Sequence, residues 1–378
     1  MNEFFMRILV LSKRQYMNKD LIDDLYGRFR EIPLTLARTG HDVHGVCLSY
    51  RSRHEGVFDD VEKNAQVTWH MLNVRRLWPL DSKSYWRIID SIGKDFRPDI
   101  VWACSDALHA ILGVRVAKRL GASLVIDLYD NFESFSVTRI PGMTSAFRRA
   151  HRCADGITCV SHPLARYVYE TSSCKCPVEV IENAVPEGFF YPMDRASCRR
   201  EMGLPPDGIF IGTAGAISQS RGIETLFKTF EILARERPDV HLILAGTCDK
   251  GLRLPKNSRV HYLGILPMNK VPVFLSSLNI SVICNRESAF GKYCFPQKFY
   301  ESVACGLPIV VAQTGVMKEL LKDKPDFLFK PEDADNLAAV LRRQIERPFT
   351  LPTEVPTWTI LAHRLDNFFR TCLKVEKL

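Results

Sequence analysis

The chain has 378 residues, 46% of them apolar, and a formal charge of +8. That length suits about two ordinary domains with a core in each, and no apolar run approaches the ~18 residues of a membrane-crossing helix. Lys and Arg do not gather into tracts interleaved with aromatics, which argues against nucleic acid as a partner. A modest basic balance suits an anionic ligand or a peripheral contact with an anionic membrane face.

The opening stretch FFMRILVLS (Phe4–Ser12) is short, lacks a small-residue cleavage site and reads as a strand rather than a signal peptide. Strand-like runs follow at Asp42–Ser49, Gln66–Leu72, Asp99–Ser105, Ser123–Asp130, Gly156–Ser161 and Val178–Asn183. Helical patterns fall between them at Phe29–Arg38, Tyr85–Phe96 and Ala107–Leu120. Continuous apolar strands alternating with helices predict a parallel sheet covered on both faces. The loop SKRQYMNKDLIDDLYGRF (Ser12–Phe29) is long for a strand-to-helix turn, which marks it as a binding element. Lys13, Arg14 and Tyr16 are its candidate ligand contacts, while His109 and His162 read as helix caps.

Ala184–Asp207, rich in Pro and charge, reads as a linker, after which the pattern restarts. Strands are expected at Gly208–Ala216, Val240–Gly246, Arg259–Gly264, Ile280–Asn285, Pro308–Gln313 and Phe327–Lys330. The last stretch, Thr357–Leu373, is an amphipathic helix that comes after the second sheet is complete. The expected architecture is α/β, with two doubly wound domains facing a cleft and a ligand outside the carboxyl ends of the strands.

The twelve cysteines sit largely in apolar runs such as those around Cys47, Cys104, Cys159 and Cys284. They read as small buried hydrophobes of a reduced, cytoplasmic chain. Cys174 and Cys176 lack the spacer and the second pair of a zinc site, so no metal and no cofactor is expected.

YCFPQKFYESVACGLPIVVA (Tyr293–Ala312) carries the sharpest chemical signal. Pro296 suits the first helical position and Gly306 the position past the end. Neither Cys294 nor Phe295 can cap the orphan amides, and Lys298 adds positive charge to an already positive helix end. An anion such as phosphate would complete that arrangement. Arg221, after the strand ending near Gly215, repeats the violation before the next helix. Ion pairs Arg221–Glu224 and Lys298–Glu301 are the competing explanation. Together the two cations would neutralise a nucleotide diphosphate, and Glu301 could accept two hydrogen bonds from a ribose diol.

These segments resemble family 4 of the retaining glycosyltransferases, which have the GT-B fold. KFYESVACGLPIVVA is the most specific match; GITCVSHPLARYV with VEVIENAVP, GTAGAISQSRGIETLFKTFEILAR and WTILAHRLDNFF extend it along the chain. The resemblance implies two Rossmann-like domains, residues 1–185 for the acceptor and 186–355 for the donor. Residues 356–378 would form a crossover helix packing back on the first domain. It implies transfer of a sugar from a UDP- or GDP-sugar to a glycan or lipid-linked acceptor, in polysaccharide or glycolipid synthesis. Gly215, Arg221, Gly264, Tyr293, Lys298 and Glu301 would line the donor site.

Three positions depart from the family pattern: Ala216 for an arginine, Tyr293 for a second glutamate, and Tyr129–Asp130 for a histidine beside an acid. Asp130 is the candidate for orienting or deprotonating the acceptor hydroxyl, against a turn-forming role with Asn131. Glu287 is the candidate to reach the sugar in place of the missing glutamate. Asp127 reads as structural. Two rivals share the architecture: a sugar-nucleotide epimerase, and a catalytically silent nucleotide-binding partner or scaffold.

Overall fold

The computed structural model describes residues 5–16, 19–25, 27–74 and 83–373, with Tyr16 described by its backbone alone. The chain divides into two compact units at Asn183/Ala184 and at Thr357/Trp358, the C-terminal segment belonging to the first unit.

In the first unit the strands are β1 (Arg7–Lys13), β2 (Gln15–Tyr16), β3 (Lys19–Asp20), β4 (Asp42–Ser49), β5 (Gly56–Glu62), β6 (Ala65–Asn73), β7 (Ile100–Ala103), β8 (Ser123–Leu128), β9 (Gly156–Cys159) and β10 (Val178–Val180). The helices are α1 (Arg28–Arg38), α2 (Lys83–Asp95), α3 (Ala107–Leu120), α4 (Met143–Cys153) and α5 (His162–Ser172). The main sheet runs β10-β9-β8-β7-β1-β4-β6-β5. Its pairings are parallel except for β5, which returns antiparallel beside β6. The sequence reading missed β5, whose surface is mostly exposed, with Val57 and Val61 facing water, so that no apolar run marks it. A two-residue turn with Lys63 at φ 56° makes that hairpin.

Central strands such as β1 and β8 are buried along nearly their whole length, which is why they read as unbroken apolar runs. Helix starts follow capping chemistry, and here two expectations are corrected. Asp106, not His109, caps α3, accepting a hydrogen bond from the His109 amide at 3.0 Å. Ser161, not His162, caps α5 through the Leu164 amide.

Two groups of contacts hold the unit together. Arg28 at the start of α1 forms a buried pair with Asp127 of β8, at 2.7 and 3.1 Å. Thr158 also donates to Asp127, and Arg28 donates to the carbonyls of Ile181 and Glu182. Helix α12 (Trp358–Cys372) then packs on the same unit. Phe369 meets Trp102 edge-on, His41 pairs with Asp366 at 3.1 Å, and Arg364 donates to the Val180 carbonyl at 2.5 Å. Gly156 is required there because a Cβ would stand 2.4 Å from the Cys372 sulfur.

The second unit contains α6 (Arg195–Glu201), β11 (Ile209–Ala214), α7 (Ile223–Glu236), β12 (Val240–Ala245), β13 (Val260–Tyr262), α8 (Val271–Ser277), β14 (Ile280–Ile283), α9 (Gln297–Ala304), β15 (Ile309–Ala312), α10 (Gly315–Leu320), β16 (Leu328–Phe329) and α11 (Ala334–Glu346). Its sheet runs β13-β12-β11-β14-β15-β16, all parallel. One core gathers Ile211, Leu226, Phe230, Leu242, Val282, Val310 and Leu341. The stretch 184–207 is not a bare linker. It folds as part of this unit, and the buried guanidinium of Arg199 in α6 donates to the carbonyls of Ser277, Pro206 and Gly208 and to the Asn279 side chain.

Removing one partner of a buried ion pair leaves the other charge uncompensated. Asp127→Ala is expected to lower stability by about 3–5 kcal/mol in urea unfolding. A loss within about 0.5 kcal/mol, the usual range for surface substitutions, would contradict this.

Candidate functional site: a cationic crevice in the second unit

In the second sheet, β12 and β13 lie on one side of β11, and β14, β15 and β16 on the other. The connections therefore reverse direction between β11 and β14, the place where doubly wound sheets take their ligands. The helices that follow those two strands are α7 and α9. Neither has a side-chain cap; Lys298 stands in the first turn of α9, and Arg221 on the turn just before α7, whose own first turn carries Glu224.

At α9, Pro296 is the capping residue (φ −73°, ψ 104°) and the helix starts at Gln297, one residue later than the sequence predicts. Gly306, at φ 67°, ends the helix, and the Leu307 amide reaches back to the Ser302 carbonyl. Lys298 extends over the end of β11. Its Nζ lies 3.4 Å from Thr213 Oγ1 and 3.5 Å from where a Cβ on Gly215 would stand.

Gly215 itself sits at φ 105° and is exposed. Its neighbour Gly246, at φ 125°, has no room for a side chain, since a Cβ would fall 1.8 Å from the Gly215 carbonyl oxygen. Gly246 donates to the Gly264 carbonyl at 2.6 Å. Three strand ends are thus floored by bare backbone, the surface that phosphate groups approach closely.

Arg221 closes a single 3-10 turn whose start is capped by Ser218, and Gly222 at φ 70° leads into α7. Its guanidinium lies 3.8 Å from the centre of the Phe290 ring. The competing ion pairs do not form. Glu224 pairs instead with Arg286, which also binds Glu332 and the Gln219 carbonyl and so ties the Arg221 turn in place. Among the described residues, no carboxylate lies within 4 Å of Arg221 or Lys298.

Burial, and then the Arg221 charge, lower the Lys298 ammonium to about 8. Burial raises the Glu301 carboxyl to about 7 against the opposing pull of Lys298. Lys298 therefore still carries its charge at neutral pH, while Glu301 titrates close to it. Tyr293 is buried nearby in sequence, with Lys292 5.3 Å over its ring, and Glu287 is exposed. Thr213, Gly246, Arg286 and Phe290 were missed in the sequence. Paired glycines at the ends of two strand runs, TAG and LAG, were the available signal.

In the first unit, Asp127 is structural, as expected. Asp130 is 4% exposed and accepts from the Asn131 amide, the contact of a turn. Lys13 Nζ lies 3.0 Å from the Tyr129 hydroxyl. Arg14 is buried and spent on the loop itself, bound to Asp20, Asp23 and the His54 carbonyl. Tyr16 lies in β2, and its side chain falls outside the described residues, as do Met17, Asn18 and Tyr26 of the same loop.

Two family models match, "Glycosyltransferase Family 4" over residues 30–188 and "Glycosyl transferases group 1" over residues 206–347. The chain belongs to the GT-B glycosyltransferases, in their family 4-like group. Among curated relatives of this glycosyltransferase is a GDP-mannose-dependent monoacylated alpha-(1-6)-phosphatidylinositol monomannoside mannosyltransferase of Corynebacterium glutamicum. It is 21% identical over 72% of this chain and 76% of that protein. Several D-inositol 3-phosphate glycosyltransferases are matched over half of their length or less.

Solved structures share the fold. Sucrose-phosphate synthase from Thermosynechococcus elongatus aligns with a TM-score of 0.71 at 16% identity, covering 98% of this chain and 95% of that one. HepE of Anabaena in complex with UDP aligns at 0.68 and 17%, covering 97% of each. The two Rossmann-like sheets and the C-terminal helix thus match GT-B architecture.

A cation whose folded pKa is depressed costs stability. The cost is full below about pH 8, where Lys298 is charged in both states, and fades as pH rises toward the unfolded value of 10.5. Lys298→Met, similar in volume and uncharged, is therefore expected to raise the ligand-free melting temperature by a few degrees at pH 7. The gain should shrink toward pH 10. A lowered melting temperature at pH 7 would refute the unfavourable placement.

Proposed function

We propose that the chain transfers a sugar from a UDP- or GDP-sugar to a glycan or lipid-linked acceptor, with the donor held in the second unit. The observation that carries this reading is the uncompensated pair Lys298 and Arg221 above the glycine floor. Each cation adds to the partial positive charge of an uncapped helix start. A diphosphate placed there would meet two cations at the starts of two helices without side-chain caps, and the same groups would stabilise the charge that grows on the leaving diphosphate. Glu301, one turn beyond Lys298, is the group for the ribose hydroxyls.

The finer roles rest on position in the chain. Asp130, past the carboxyl end of β8, is the group proposed to orient the acceptor hydroxyl, and Glu287 the group proposed for the donor sugar. Retention of anomeric configuration is the outcome that family likeness favours. The excess of basic residues is compatible with work at an anionic membrane face, and no described helix is long and apolar enough to cross a membrane.

Calorimetric titration with UDP and GDP tests the donor site. A charge-assisted hydrogen bond is worth about 1.5–3 kcal/mol, so Lys298→Ala or Arg221→Ala should weaken the preferred nucleotide roughly 10- to 100-fold. Equal affinity in wild type and both variants would overturn the site. Asp130→Asn should keep donor affinity within about twofold and reduce transfer at least tenfold (about 1.4 kcal/mol). Full transfer by that variant would remove Asp130 from the mechanism, and conversion of the donor without any acceptor would favour the epimerase reading.

A further inference from the structure

The first sheet has its own reversal point. From β1 the chain proceeds to β4 and β6 on one side, while β7, β8, β9 and β10 lie on the other. The switch therefore falls between β1 and β7, and the residues just past their carboxyl ends form one polar cluster. Lys13 ends β1, and its amide donates to the Ser105 hydroxyl at 2.8 Å. Ser105 is fully buried at φ 83°, a conformation that a non-glycine residue rarely adopts and that places Asp106 beside Lys13. Tyr50, just past β4, donates its hydroxyl to Asp106 Oδ2 at 2.9 Å, while the residue as a whole remains 42% exposed. His109 fixes the other carboxylate oxygen, with Nδ1 2.7 Å from Oδ1.

The charges of this cluster differ from those of the donor crevice. Burial pushes the Asp106 carboxyl up, but His109 and Lys13 outweigh it and hold the group at about 2, so it is ionised at any working pH. Asp106 and Asp130 both act on the Lys13 ammonium. Two carboxylates, Asp106 and Asp130, thus face the Lys13 ammonium. Fixed carboxylates and an ammonium are good partners for hydroxyl groups, which both donate and accept, and poorer ones for phosphate. An exposed aromatic ring beside them offers a face for the C–H side of a sugar ring, the combination of apolar wall and few polar groups that small-molecule sites use.

We propose that Lys13, Tyr50 and Asp106 form the subsite for a neutral, hydroxyl-bearing ring of the acceptor, a sugar or cyclitol without a phosphate at the bound positions. This rests on the reading of the chain as a glycosyltransferase. In it Tyr50 is the stacking face, Asp106 the hydroxyl acceptor, and Ser105 and His109 position that carboxylate.

Saturation-transfer NMR on the full chain tests it, with methyl α-D-glucoside, methyl α-D-mannoside, myo-inositol and glucose 6-phosphate as probes. At least one neutral probe should receive saturation, and the effect should fall at least fivefold in Tyr50→Ala and in Asp106→Asn. Asn caps a helix about as well as Asp, so the start of α3 is kept in the second variant. Tyr50→Phe keeps the ring, loses the bond to Asp106 and should give an intermediate effect. Nucleotide titration of the same samples should be unchanged within twofold. Its failure in the wild type as well would count against the donor site and leave this subsite to be judged on the probes. Absence of transfer to every neutral probe, undiminished transfer in Tyr50→Ala and Asp106→Asn, or preference for glucose 6-phosphate would each overturn the proposal.

Discussion

An ammonium held at the positive end of a helix, with a guanidinium as its neighbour and, among the described residues, no carboxylate within ion-pairing distance, is the feature on which the second unit turns. Folding alone gives no reason to keep it. Burial and the repulsion of Arg221 already draw Lys298 down to about 8, which measures how poorly the place suits a cation. Other parts of the site serve to hold it. Arg286 fixes the Arg221 turn, Gly215 and Gly246 leave the floor bare, and the Gly306 terminus sets the length of the helix that carries Lys298. Local rules broken together at one place are what a functional site looks like.

The two units answer the same topological question with different charges. In each, the loops on either side of the reversal in strand order gather the polar side chains. The second unit leaves two cations over glycine with no described carboxylate within 4 Å, an arrangement that suits a diphosphate. The first unit balances Lys13 against Asp106 and Asp130 and adds aromatic hydroxyls, an arrangement that suits hydroxyl groups. One architecture can thus present groups suited to an anion or to a polyol by changing a handful of residues at strand ends.

Much of this was legible in the sequence because burial and periodicity carry it. Strand β4 and helix α3 fall on their expected bounds, Asp42–Ser49 and Ala107–Leu120, where an apolar run and a capped, amphipathic pattern leave no ambiguity. Lys298 and Arg221 were readable because a charge at the wrong helix pole breaks a local rule. What escaped depends on contacts distant along the chain. Strand β5 is an exposed edge with no apolar signature. Stretch 184–207 has a linker's composition, yet Arg199 is buried in it by carbonyls as far away as Ser277. Arg14 reads as a ligand contact until Asp20 and Asp23 are seen to claim it. Tyr50 comes from one loop and Ser105 and Asp106 from another, and only the sheet order brings them together with Lys13.

If Lys298 is a strained cation awaiting a pyrophosphate, its own titration shows it most directly. Lysine side chains labelled at Cε can be titrated by NMR, with Lys298→Met assigning the resonance, in the free protein and with saturating UDP or GDP. The expected midpoint is near 8 in the free protein, moving up toward the ordinary lysine range when the nucleotide is bound. A midpoint that stays where it was, with the nucleotide demonstrably bound, would contradict it.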